Sequence, residues 1–153
     1  MTSKYKVFFD NFLGLIEDYE FASLDRNNAN ELMVEYLHKA FAKPYVRRLF
    51  QSLTLDDSIQ TVTFTMLDET DSDVDLNFTV EVVAYGMVIE WLRPLVRSKL
   101  NIRQNFSNNK ESKFYSQSSH LNELQSLLNN TINDQRSLIA DRGYIYNPYL
   151  NNI

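Results

Sequence analysis

Residues 74–99 limit the fold more than any other stretch of this chain. Leu76, Val80, Val83, Met87, Val88, Trp91, Leu92 and Leu95 recur at helical spacing, and apolar residues fill most positions between them. A helix that is apolar nearly all round has to be covered on every side, so the remaining elements must wrap it. The same residues carry a second pattern. Leu76, Phe78, Val80 and Val82 alternate with Asn77, Thr79 and Glu81, as in a strand forming a hairpin with 59–67 across an acidic loop. The helix is the favoured reading, because the acids ahead of it stabilise a helix N-terminus. Pro94 predicts a kink or break near its end.

The flanking segments supply the cover. Val7, Phe8, Phe12, Leu15, Ile16 and Tyr19 predict an amphipathic helix over 5–22, with Ser3 as its N-cap. A second helix runs through Leu32, Met33, Tyr36, Leu37, Ala40 and Phe41, capped by Asn28 or Asn30. Pro44 ends it or opens the next helix, a short one through Tyr45, Leu49, Phe50 and Leu53. Residues 59–67 make the best strand, with Val62, Phe64 and Met66 on one face. Residues 101–109 read as a polar loop. A last helix over 113–140 carries Leu121, Leu124, Leu128, Ile132 and Ile139, and Gly143 stands where a left-handed C-cap would fall. The expected fold is mainly α: a helical bundle with a long central helix, a small β element at 59–67 and an extended C-terminal arm. Residues 1–143 would form one domain, with 144–153 as the arm.

Composition narrows the chemistry. A chain of 153 residues with 44% apolar content can bury a core without staples. It has no cysteine, which excludes disulfides, thiolate nucleophiles and Cys-ligated metals. Its three glycines, Gly14, Gly86 and Gly143, stand far apart, so no phosphate-cradling loop exists. Glu35 and His38 have the spacing of a di-iron ligand pair, but no second such motif accompanies them. Ser119-His120 lacks a nucleophile-elbow context. No catalytic residue, metal site or cofactor is expected. The N-terminal residues lack a long apolar run, and 82–89 is too short to span a bilayer, so no membrane role and a cytoplasmic place of assembly are expected.

Charge is distributed unevenly. The 20 acids outnumber the 15 bases, but Asp68, Glu69, Asp71, Asp73 and Asp75 account for the whole excess of five. Asp71, Asp73 and Asp75 match the first ligands of a calcium loop, yet Leu76 and Val82 replace the required glycine and glutamate. A solvated loop and helix start, or a surface for docking on bases, fits better. The counterweight is 93–113, with Arg93, Arg97, Lys99 and Arg103. Lys43, Arg47 and Arg48 flank Tyr45, which suits phosphate contact, but the net charge of −5 and the lack of a nucleic-acid module argue against sequence-specific binding. Tyr144, Tyr146, Tyr149 and Leu150 give the C-terminal end an aromatic character suited to docking, or to folding back over the core.

Three stretches carry a family resemblance: 86–96 (GMVIEWLRPLV), Lys113-Phe114-Tyr115-Ser116-Gln117 with His120-Leu121, and Asp141-Arg142-Gly143-Tyr144. Together, over 56–150, they resemble small virion structural proteins of tailed bacteriophages, and the plan is similar to neck proteins (head–tail connectors, adaptors or head-completion proteins) that join portal to tail. The resemblance implies a virion protein assembled in the host cytoplasm. It implies a homo-oligomeric ring, contact with portal and tail proteins, and proximity to packaged DNA. The strand at 59–67 with its acidic loop is more than a minimal helical connector requires. Heterologous ring contacts join two different surfaces, and the acidic segment facing 93–113 of a neighbour, with 144–150 clamping another protein, would supply them. A phage-encoded inhibitor that presents the acidic face to a host protein is the alternative. A hydrolase with a carboxylate site around Glu81, Glu90 and the acidic loop ranks last.

Overall fold

Residues 72–106 form one continuous helix, so the alternation at 76–82 is not a strand. The computed structural model describes residues 1–16, 26–106 and 111–145, with side chains for 1–16, 26–98 and 120–144. In chain order the elements are β1 (Thr2–Lys4), α1 (Tyr5–Leu15), α2 (Arg26–Phe41), α3 (Pro44–Arg47), β2 (Phe50–Asp56), β3 (Thr61–Met66), α4 (Ser72–Phe106) and α5 (Glu111–Ile145). The fold is mainly α with a small antiparallel sheet, as the sequence predicts.

Helix α4 is the axis. Phe78, Val80, Val82, Val83, Ala84, Met87, Val88, Ile89 and Leu92 are all buried, which one face of a helix cannot accommodate. Helices α1, α2 and α5 pack around it. Three helices meet at Gly86, where a Cβ would stand 2.8 Å from the Ala40 Cβ and 3.2 Å from Gln135 Nε2. Buried Gln135 on α5 donates from that nitrogen to the Val82 carbonyl at 2.9 Å, tying α5 to the axis.

The strand predicted at 59–67 is β3, and its partners lie elsewhere than 76–84. The sheet order is β1-β3-β2, with Ser3 opposite Val62 and Leu53 opposite Phe64. Only Pro44–Arg47 of the predicted third helix is helical, because Phe50–Asp56 pairs with β3 instead. A strand beside it is what β3 needs for its backbone groups, and helical spacing in so short a segment cannot outweigh that. Edge-on and tilted aromatic contacts carry the core from helix to sheet: Phe8 to Phe41 at 5.7 Å, Phe41 to Phe50 at 5.8 Å and Phe50 to Phe64 at 5.5 Å.

Several predicted boundaries move. Ser3 belongs to β1, and Lys4 takes the N-cap position of α1 without a side-chain cap. Asn28 and Asn30 lie within α2 rather than ahead of it. Pro44 does open α3, at the tolerated first turn. Helix α4 passes through Pro94 and continues to Phe106, over most of the predicted polar loop. Helix α5 runs through Gly143, which has no left-handed backbone, and reaches Ile145, so the predicted arm is helical at 144–145. The rest of that arm lies outside the described residues, as does the predicted helical stretch 17–22.

Candidate interaction surface

The acidic segment does two different things within a few residues. Leu67, Asp68, Glu69, Thr70, Asp71, Ser72, Asp73 and Val74 are all exposed. Asp71 caps α4: its Oδ1 accepts from the Asp73 N–H at 3.0 Å and, more loosely, from the Val74 N–H at 3.4 Å. Asp73 then sits in the first turn, where a carboxylate complements the helix dipole. Asp75 faces the other way and is 2% exposed. Its Oδ1 accepts from Arg142 Nη2 at 2.7 Å, and its Oδ2 from the Thr70 N–H at 3.1 Å. Arg142 also donates to the Asp68 carbonyl at 2.7 Å and lies 4.6 Å above the Phe78 ring. Asp75 therefore belongs to the interior and leaves the predicted docking set. Arg142, which the sequence placed only within a resemblance motif, is the buried cation that binds it.

The predicted basic stretch divides as well. Arg93 is half-buried, 3.4 Å from Glu90, while Lys43 reaches the same carboxylate at 2.6 Å. Arg97 is exposed. Lys99 and Arg103 lie on α4, but their side chains fall outside those described. Tyr144 is 68% exposed at the end of α5, and Tyr146, Tyr149 and Leu150 lie beyond the described residues.

The tertiary structure adds cations that no local pattern connected. An open groove of about 540 Å³ runs along α5, lined by Tyr45, Arg48, Arg93, Arg136 and Ile139. Arg48 and Arg136 are exposed and form no ion pair with any described residue. These arginines come from three separate parts of the chain, so sequence spacing carried no sign of the cluster. A smaller hollow beside it is lined by Arg48, Leu67, Asp68 and Ile139, so groove and acidic strip adjoin at Arg48.

The remaining candidates are occupied locally. Glu35 pairs with Lys39, while His38 Nε2 meets Asp57 Oδ1 at 2.8 Å, so the Glu-x-x-His spacing does not converge. Tyr5 donates to the same Asp57 oxygen at 2.6 Å. Burial pushes the Tyr5 hydroxyl well above the ordinary tyrosine value, with Asp57 adding to it. The Tyr5 and His38 hydrogen bonds in turn hold Asp57 below the usual carboxylate value. Glu90, offered as a hydrolase carboxylate, is held by Lys43 and Arg93. Tyr85 is raised by burial and by the neighbouring Glu81 carboxylate. Among the described residues no group of three His, Asp or Glu side chains is arranged to hold a metal ion. No known protein family, curated protein or solved structure matches the chain.

Proposed function

We propose that this chain is a structural protein of a tailed-bacteriophage virion, a neck subunit that assembles as a ring between portal and tail. Its role is binding rather than catalysis, its partners are copies of itself and the portal and tail proteins, and it needs neither cofactor nor membrane. It would be assembled in the host cytoplasm and reside in the virion. The resemblance of 86–96, 113–117 and 141–144 gives the class. The observation that carries the assembly role is the exposed strip at 67–74. Its four exposed acids, Asp68, Glu69, Asp71 and Asp73, have no cationic partner among the described residues. Such a strip suits a complementary surface on another molecule.

Mass spectrometry of purified particles from the source tests the reading. The expected result is this chain at a fixed copy number matching the portal. Its recovery only from the soluble lysate would overturn the virion role.

A further inference from the structure

The groove on α5 and the acidic strip before α4 complement each other in two respects. The strip sets Asp68, Glu69 and Asp73 between two exposed apolar residues, Leu67 at 61% and Val74 at 52% exposure. The groove sets Arg48, Arg93 and Arg136 beside Tyr45 and the apolar wall of Ile132 and Ile139. Guanidinium forks match carboxylates in geometry as well as charge, and Tyr and Arg are the residue types that anchor protein interfaces. Within one copy the strip borders the groove at Arg48 instead of filling it. We infer that the groove lined by Tyr45, Arg48, Arg93 and Arg136 receives residues 67–74 of a second copy of this chain.

The inference rests on the self-assembly part of the function proposed above, and it relocates the contact. The receiving cations are Arg48 and Arg136 with Arg93, rather than the run from 93 to 113. Asp75 takes no part, since Arg142 of its own chain holds it. Because strip and groove adjoin, each copy offers donor and acceptor on neighbouring parts of one surface.

Sedimentation equilibrium of the full chain over a concentration series, at low and high salt, tests this. The wild-type chain is expected to self-associate, and salt should weaken the association. R48E/R136E and D68K/E69K should each weaken it at least about tenfold, the scale of losing a close interfacial charge pair. An equimolar mixture of the two variants should associate again, because each then carries the surface the other lacks. Circular dichroism checks that both variants fold, and R48Q/R136Q replaces the first if it does not. Three results would overturn the contact: a wild-type monomer at every concentration, association that neither pair of substitutions alters, or a mixture that fails to recover. A monomeric wild type that binds a single-stranded oligonucleotide, and loses it in R48E/R136E, would also overturn the contact and assign the groove to nucleic acid. A closed dimer that obeys the charge swaps keeps the contact and defeats the ring. Particles that incorporate R48E/R136E normally keep the virion role and defeat the contact.

Discussion

Two described turns are built on acidic residues, at 56–57 on the hairpin tip and at 68–75 leading into the first turn of α4, and they use their carboxylates in opposite ways. At the hairpin, Asp56 folds back onto Ser58, accepting from its N–H at 3.0 Å and from its hydroxyl at 2.5 Å. Gln60 supplies the left-handed residue, with φ of 50°. Asp57 then receives hydrogen bonds from Tyr5 of α1 and His38 of α2, so the tip is docked to both helices while the carboxylate stays largely exposed. Ahead of α4 the docking carboxylate is buried and meets a full cation, and the acids left outside meet no cation among the described residues, Asp71 serving only to cap the helix. The difference teaches where interaction energy is concentrated. An exposed carboxylate keeps its hydration whichever partner it has, whereas a buried one depends wholly on its partner.

The sharpest way to break that contrast is to remove one member of the buried pair. Arg142→Ala leaves the Asp75 carboxylate inside without its cation, and a loss of about 3–5 kcal/mol is expected by urea denaturation. The paired substitution with Asp75→Ala should lose less than the two single losses added together. Equal and additive losses would show that the pair is not coupled. At the hairpin, Tyr5→Phe should cost only about 1 kcal/mol, because the exposed Asp57 can return to water.

The hairpin pair also predicts a pH dependence on both sides of neutrality. Tyr5 holds its proton more tightly when folded, so its contribution is complete below the unfolded tyrosine value of about 10 and is lost as pH rises beyond it. Asp57 is lowered when folded, so its contribution is complete above the ordinary carboxylate value of about 4 and is lost as pH falls through its folded value. Thermal melts across pH should show wild type losing stability on the alkaline side more steeply than Tyr5→Phe. Identical alkaline limbs would contradict the buried Tyr5 hydroxyl as their source.

Smaller effects follow along the exposed acids. Asp71→Ala removes the cap of α4 and should cost about 1 kcal/mol. Asp68→Asn with Glu69→Gln should leave monomer stability within about 0.5 kcal/mol, since neither side chain has an ion-pair partner among the described residues. A large loss from that last pair would mean that the strip is structural and not a docking surface.

Much of this architecture is legible in the sequence. The apolar density of 74–99 required a wrapped central helix, and α4 is buried to match. The β-branched run at 59–67 required a strand, and β3 is there. What misled the reading was short-range spacing. Phe50 and Leu53 fit a helix and a strand equally well, and only the unpaired edge of β3 decided between them. Gly143 looked like a terminator, yet α5 continues across it, next to an Arg142 buried against Asp75 and Phe78. The site was legible in part: the exposed strip was visible as a charge run and Arg48 and Arg93 as separate bases, but not that these two stand with Arg136 along one groove.

By itself the sequence determined the class of fold, the identity of the central helix and the lack of any cysteine, because composition and period act through local physics. Tertiary structure alone decided which acid is buried and which arginines stand together. Asp73 and Asp75 lie two residues apart and differ only in the face of α4 they occupy, and that choice places one in water and the other against Arg142, 67 residues away. Burial sets the strength of a charge interaction, and burial is a property of the packed molecule that no neighbouring residue reveals.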